Sequence, residues 1–183
     1  DVQAAAQKLI LTPSVRDVRL RNVHVTYIDG ATGAAFETDL KRADFTAESI
    51  DSPLKGDFAA VYNEVLVHAE AELGSLGLLI ASQGDAFPVN LKLSAPGLSA
   101  TVVGTVDQPS AGMAVKVRID AQAEDSETLA ALAGVELPSV GALALRANVS
   151  GAGTAYRFEG LDASIGNSDL KGRADIDLSG VRP

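Results

Sequence analysis

The sequence predicts a mainly β protein: antiparallel strands in a curved sheet or repeating β-groove, or in a sandwich, with two short helices. Three observations lead there. Apolar and polar residues alternate with period two through most of the chain. Turns rich in Gly, Pro and Asn separate the alternating runs. Two stretches, 74–84 and 125–134, break the pattern in the manner of helices.

Taken in order, residues 23–28 and 36–47 form a hairpin closed by Asp29-Gly30 and Ala31-Thr32-Gly33. The apolar phase of the second strand slips between Leu40 and Ala43, which predicts a bulge near Lys41-Arg42. Pro53 opens another run, and Tyr62-Asn63-Glu64 is the turn before a strand over 65–73. There Val65, Val67, Ala69, Ala71 and Leu73 share one face, and His68, Glu70 and Glu72 the other. A short helix over 75–81 follows, then Phe87-Pro88 leads into a strand at 89–93. Ala95-Pro96-Gly97 turns the chain into 98–106, and residues 107–112 form the next turn. The strand from Met113 to Asp120 alternates cleanly. The second helix, 126–133, has Asp125 or Ser126 as its cap and Gly134 as its stop. Leu143, Leu145, Ala147 and Val149 alternate with polar or small residues; Ser150-Gly151-Ala152-Gly153 then leads to a strand at 156–158. The last run sets Leu170, Gly172, Ala174, Ile176 and Leu178 against Lys171, Arg173, Asp175, Asp177 and Ser179. One apolar and one wet face per strand is the mark of antiparallel sheet.

The runs form a loose internal repeat of three strands, a helix, then a proline and a new strand. Approximate copies span 36–84, 87–134 and 137–183 within a β-repeat region at 18–183; residues 1–17 are a lead-in for which a helix is one option.

With 183 residues, of which 46% are hydrophobic, the chain can build a core. Aromatics are only 4% and Trp is absent, so Ala, Val and Leu carry the apolar mass. A thin layer or repetitive stack manages without large aromatic anchors better than a compact core does. The formal charge is −9, from 15 basic and 24 acidic residues, and this argues against nucleic acid as a partner. It argues equally against docking on anionic headgroups by charge alone. Without cysteine, the chain has no disulfide, thiolate catalysis or thiol metal site. There is no apolar run long enough to span a bilayer, the longest near the start being 9–11. The chain starts at Asp1 and stops at Val181-Arg182-Pro183, and it reads as a fragment whose membrane anchor lies elsewhere.

Groups with chemical potential are few. His68, Glu70 and Glu72 line one strand face at spacing two, but zinc sites draw three or four converging ligands from several elements, so a solvated face accounts for them better. His24 shares a polar face with Thr26, and the local sequence offers it no partner. Glu124, Asp125, Glu127 and Glu136 cluster around a helix start, where the dipole favours acids. Asp175 and Asp177 share a face as a glycosidase pair would, yet Lys171 and Arg173 beside them suit solvation. Gly151-Ala152-Gly153 precedes a strand, whereas phosphate loops precede a helix. No G-x-S-x-G, H-E-x-x-H or P-loop string occurs. No catalytic residue, metal or cofactor is therefore expected.

The ends of the chain carry a family likeness. Gly166-Asn167-Ser168-Asp169-Leu170-Lys171-Gly172, Asp177-Leu178-Ser179-Gly180 and Arg182-Pro183 match a G-x-S-x-L-x-G string followed by D-L-S-G and Arg/Lys-Pro. Leu20-Arg21-Asn22-Val23, Val25-Thr26-Tyr27 and Asp29-Gly30 match an L-R-N-V-x-V-T-Y-x-D-G opening. Leu73-Gly74-Ser75-Leu76 and Phe87-Pro88-Val89 fall between in the same order. Over about 18–183 the chain thus resembles the AsmA family of bacterial envelope proteins. That resemblance implies an N-terminal inner-membrane anchor, a long periplasmic β-structure like that of bridge-type lipid transfer proteins, a part in outer-membrane lipid and protein homeostasis, and no catalytic residues to carry over.

Alternation by itself favours a closed sandwich core. The resemblance, the scarcity of aromatics and the abrupt ends favour an open trough instead. Its candidate walls are Val65, Val67, Val102, Val106, Val115, Val117, Ile119, Leu143, Leu145, Ile176 and Leu178, along which the acyl chains of a phospholipid would lie. The alternative is a scaffold whose open sheet edges pair with envelope proteins during outer-membrane protein assembly.

Overall fold

A computed structural model of the chain describes residues 17–28, 35–81, 86–107, 114–133 and 138–177. The lead-in at 1–16, the Asp29–Gly33 turn and Leu178 lie outside the described residues.

The strands are β1 (Asp17–Ile28), β2 (Ala35–Thr46), β3 (Pro53–Tyr62), β4 (Val65–Ser75), β5 (Phe87–Ala95), β6 (Leu98–Asp107), β7 (Ala114–Ala123), β8 (Leu143–Ala152), β9 (Ala155–Ile165) and β10 (Ser168–Asp177). The helix α1 (Leu76–Ala81) follows β4, and α2 (Glu127–Ala133) follows β7. All ten strands lie in one curved, unclosed antiparallel sheet whose spatial order is the chain order. Each strand therefore pairs only with its sequence neighbours. The sandwich alternative does not apply: the alternating faces belong to a single layer.

Turn chemistry explains the meander. Between β3 and β4, Asn63 and Glu64 both take positive φ, 47° and 66°, so the two-residue turn has the twist that suits right-twisted strands. Asn tolerates that region better than most residues because its short polar side chain bonds locally.

Two irregularities bend the sheet. The register of β2 against β3 slips between Leu40 and Arg42, at the bulge expected near Lys41-Arg42. Asn22 of β1, at φ 50°, stands opposite Lys41 as a matching extra residue. The second is in β9, where Gly160 at φ 59° is the extra residue against both β8 and β10. It moves the apolar phase from Tyr156 and Phe158 to Leu161, Ala163 and Ile165. That slip is why the sequence suggested a strand of only 156–158, whereas β9 runs to Ile165. Asn22 hides the true start of β1 in the same way: Leu20 and Val23 share a face although three residues apart.

The helices sit at opposite ends of the strands. Ser75 caps α1, its hydroxyl accepting the Leu78 N–H at 3.2 Å, and the Gly77 N–H donates to the Ile50 carbonyl in the β2–β3 loop at 2.7 Å. For α2, Asp125 caps the start by accepting the Glu127 N–H at 2.9 Å. Ser126, only 2% exposed, has a different job from the capping one. Its hydroxyl donates to the Pro138 carbonyl at 2.7 Å and accepts the Val140 N–H at 3.1 Å, clipping the helix to the approach of β8.

Candidate functional site

Register assigns every strand residue to a face. On one face, a row passes from Leu93 of β5 through Ala100, Ala121, Leu145 and Ala163 to Leu170 of β10, each directly opposite the last. Parallel rows run above and below it. Among the described residues, none of the positions on this face carries a charge across the ten strands.

Ten of the eleven wall residues expected from the sequence lie on this face: Val65 and Val67 in β4, Val102 and Val106 in β6, Val115, Val117 and Ile119 in β7, Leu143 and Leu145 in β8, and Ile176 in β10. Leu178, the eleventh, is among the residues not described.

The face is apolar and yet uncovered. Along β5, half-buried and exposed residues alternate without a break, the half-buried set being Phe87, Val89, Leu91, Leu93 and Ala95. The apolar side chains that are buried are small: Ala43, Ala47, Ala59, Ala71, Ala123, Ala147 and Val149. Among the described residues no large side chain is fully buried. Lateral strand neighbours shield a side chain from two sides only; complete burial of a large one needs a second layer. Here the described residues supply none.

Sequence reasoning missed the aromatic contribution to this face. Phe45 and Phe58 meet edge to face, ring centroids 5.0 Å apart at 83°, and the Phe58 ring covers Gly56, where a Cβ would lie 2.7 Å from Cε2. The signal was available: Phe45 and Phe58 fall on the alternating face, and a glycine two residues before an aromatic marks the space its ring fills.

The opposite face is polar and laced with cross-strand charge contacts. Arg21 Nη1 meets Asp44 Oδ1 at 2.6 Å, a charge contact rather than an aligned hydrogen bond. Arg42 pairs with Asp57. Asp120 pairs with Arg146 at 2.7 Å, Asp162 with Lys171 at 3.0 Å and Asp175 with Arg157 at 2.8 Å. The Arg21 guanidinium holds the Asp44 carboxyl below the usual aspartate range, and the bond to Asp175 raises Arg157. His24, for which the sequence offered no partner, has Asp39 at 2.9 Å from Nδ1. That contact, with the Lys41 ammonium second, lowers the Asp39 pKa.

These pairs redefine the groups noted in the sequence. Asp175 is balanced by Arg157 across the strand pair, not by Lys171 and Arg173 along its own strand. Glu70 lies between Asp57 and Lys92, and His68 between Ala59 and Ser94. No group of three or more His, Asp or Glu among the described residues is placed to hold a metal. Gly151-Ala152-Gly153 lies in the β8–β9 hairpin.

Recesses interrupt the surface. One, of about 530 Å³, lies at the α2 end of the sheet among Ala95, Leu98, Gln122, Glu124 and Leu143. Another, of about 400 Å³, lies beside α1 and is lined by Pro53, Leu78, Pro88, Asn90 and Val103. Among the described residues no helix is long and apolar enough to cross a membrane.

The fold and its faces define a mainly β protein built as one open sheet, charged on one side and apolar on the other. No family model, curated protein or solved structure matches the chain.

Proposed function

We propose that this chain is a non-catalytic, periplasmic segment of an AsmA-like envelope protein, anchored to the inner membrane elsewhere in the full protein, and that it binds or conducts phospholipid acyl chains in outer-membrane homeostasis. One observation carries the reading: a charge-free apolar face continues across ten strands and no second layer covers it among the described residues. Such a surface is unfavourable in water, at about 25 cal/mol per Å² of apolar area left exposed. Acyl chains relieve that cost without requiring a polar partner for each group, and each buried methylene contributes about 0.8 kcal/mol. Walls of Val, Leu and Ala offer no strong local trap, so a chain slides along them.

The scaffold reading draws on addition of an envelope protein's strand at a sheet edge, β1 and β10 being the outermost of the described strands. Organic extraction of the purified protein followed by mass spectrometry separates the two. Co-purified phospholipid, with competition by a fluorescent fatty acid, supports the groove. Lipid-free protein that binds no fatty acid supports the scaffold.

A further inference from the structure

We propose that the recess beside α1 binds a small amphiphilic organic cation, an ammonium group on an apolar body. The recess lies on the charged face of the sheet, so the inference goes beyond the lipid reading and does not depend on it.

Register places the recess. On the polar face, Glu72 of β4, Asn90 of β5 and Val103 of β6 stand directly opposite one another in a row. Beside that row, Pro53 opens β3 and Pro88 is the second residue of β5. Helix α1 leaves the end of β4, and its half-buried Leu78 supplies a side wall. The Gly77 N–H bond to the Ile50 carbonyl, at 2.7 Å, ties that wall to the β2–β3 loop. The hollow so formed, about 400 Å³, falls in the range of small-ligand sites. It reaches from β3 to β6, three strand spacings or about 14 Å, which suits one compact molecule.

The apolar part of the lining is out of place on this face. Extended in both directions, the same row carries Lys55 beyond Glu72 and Arg118 beyond Val103. Yet Val103 is apolar and 46% exposed. With the rings of Pro53 and Pro88 and the side chain of Leu78, it offers apolar contacts from four different elements.

Charge fixes the sign of the ligand. Two carboxylates line the recess, Asp51 and Glu72, with the Asn90 amide and no cationic side chain. Other acids of this face are already answered: Asp44 by Arg21, Asp57 by Arg42, Asp120 by Arg146 and Asp162 by Lys171. Asp51 and Glu72 form no ion pair among the described residues, although Lys55 stands directly opposite Glu72. The Asp51 carboxylate is held against α1, since a Cβ on Gly77 would lie 2.7 Å from its Oδ1. An ammonium at this rim meets two carboxylates while its apolar body covers Pro88 and Val103. An anion would meet only like charge, and a neutral molecule would leave both carboxylates unanswered.

Phenethylamine, protonated at neutral pH, is the probe, titrated into the isotope-labelled 183-residue chain. The expected result is saturable amide shifts confined to 72–78, 89–90 and 103–104. Phenethyl alcohol, with the same body and no charge, binds about fivefold more weakly, and Glu72→Gln loses about threefold toward the amine. Val103→Lys puts a fixed cation in the hollow and abolishes binding. That position is exposed, so the variant is expected to fold, and circular dichroism verifies that its strands are kept. Shifts that spread over the acidic surface without saturating, equal binding of amine and alcohol, or a folded Val103→Lys that binds as wild type does would overturn the proposal.

Discussion

Asn63, at the tip of the β3–β4 hairpin, donates its side-chain N–H to the carbonyl of Ala131 in α2 at 3.1 Å, across 68 residues of sequence. The Leu132 carbonyl is within 3.5 Å of the same nitrogen. Near the other end of the helix, the Thr128 hydroxyl donates to the Pro96 carbonyl in the β5–β6 turn at 2.8 Å. So α2 leaves β7 and reaches back over two hairpin tips, and Asn63 satisfies carbonyls that a seven-residue helix leaves open at its end.

The Asn63→Gly substitution keeps the positive φ of the turn and deletes this bond. Its expected cost is about 0.5–1.5 kcal/mol, felt locally. Hydrogen exchange at the last α2 amides accelerates, while the urea midpoint moves little. Asn63→Ala adds the strain of a left-handed alanine and costs more. Equal exchange in wild type and Asn63→Gly would show that the tether is not what holds α2.

The strands approach so closely at Gly104 that a Cβ there would collide with the Lys116 carbonyl oxygen and lie 2.7 Å from Val117 Cα. Both obstacles are backbone, so they yield only if the strand pair shifts. Gly104→Ala is expected to lose about 1–3 kcal/mol, as overpacked positions do. Gly172, on the same face at the sheet edge, has nothing within 4 Å of a built Cβ, and Gly172→Ala is expected to be neutral or slightly stabilising. Chemical denaturation of the two variants side by side tests the contrast. Equal losses at both positions would contradict it.

Acid should loosen the charged face. Asp39 and Asp44 are both lowered from the ordinary 3.8, first by the His24 and Arg21 contacts respectively. A depressed carboxylate stabilises the fold above its unfolded pKa, and the contribution disappears as pH falls through the folded value. The expected signature is a thermal midpoint gap between wild type and Asp44→Asn that is constant above about pH 5 and closes below about pH 4. High salt narrows the gap at neutral pH because the pair is at the surface. A gap that widens on acidification would reverse the assigned sign.

Much of this fold could be read from local pattern. Asp125 announced α2 because a capping side chain must stand just before the first turn, and α2 begins two residues after it. The slip at Lys41 was visible because it displaced a long alternating run. The equivalent slip at Gly160 cuts the alternation short after Phe158, since a glycine between Phe158 and Leu161 reads equally as a turn. The His24–Asp39 contact was invisible for another reason: the two are 15 residues apart, and only the β1–β2 register brings them together. Whether the apolar face closes on a second layer was beyond reach of periodicity, because a covered and an uncovered sheet alternate identically.

That difference governs the response to a charge on the apolar face. Val117 of β7 is half-buried between Gly104 and Val149, and Ile176 of β10 is 42% exposed opposite Tyr156. A glutamate at either position in an uncovered sheet keeps water around its carboxylate. Stability then falls by about 1–3 kcal/mol, the common range for point substitutions, with Ile176→Glu the milder. In a covered core the same carboxylate would be unpaired and dry, and a domain with about 5–15 kcal/mol in total would be at risk of unfolding. An acyl chain crossing the substituted site would have to strip that water, so fatty-acid binding is expected to drop while the fold survives. Urea unfolding and fluorescent fatty-acid titration of Val117→Glu and Ile176→Glu measure the two effects separately. Folded variants with lost binding support acyl chains on this face; folded variants that bind as wild type does would remove lipid from it.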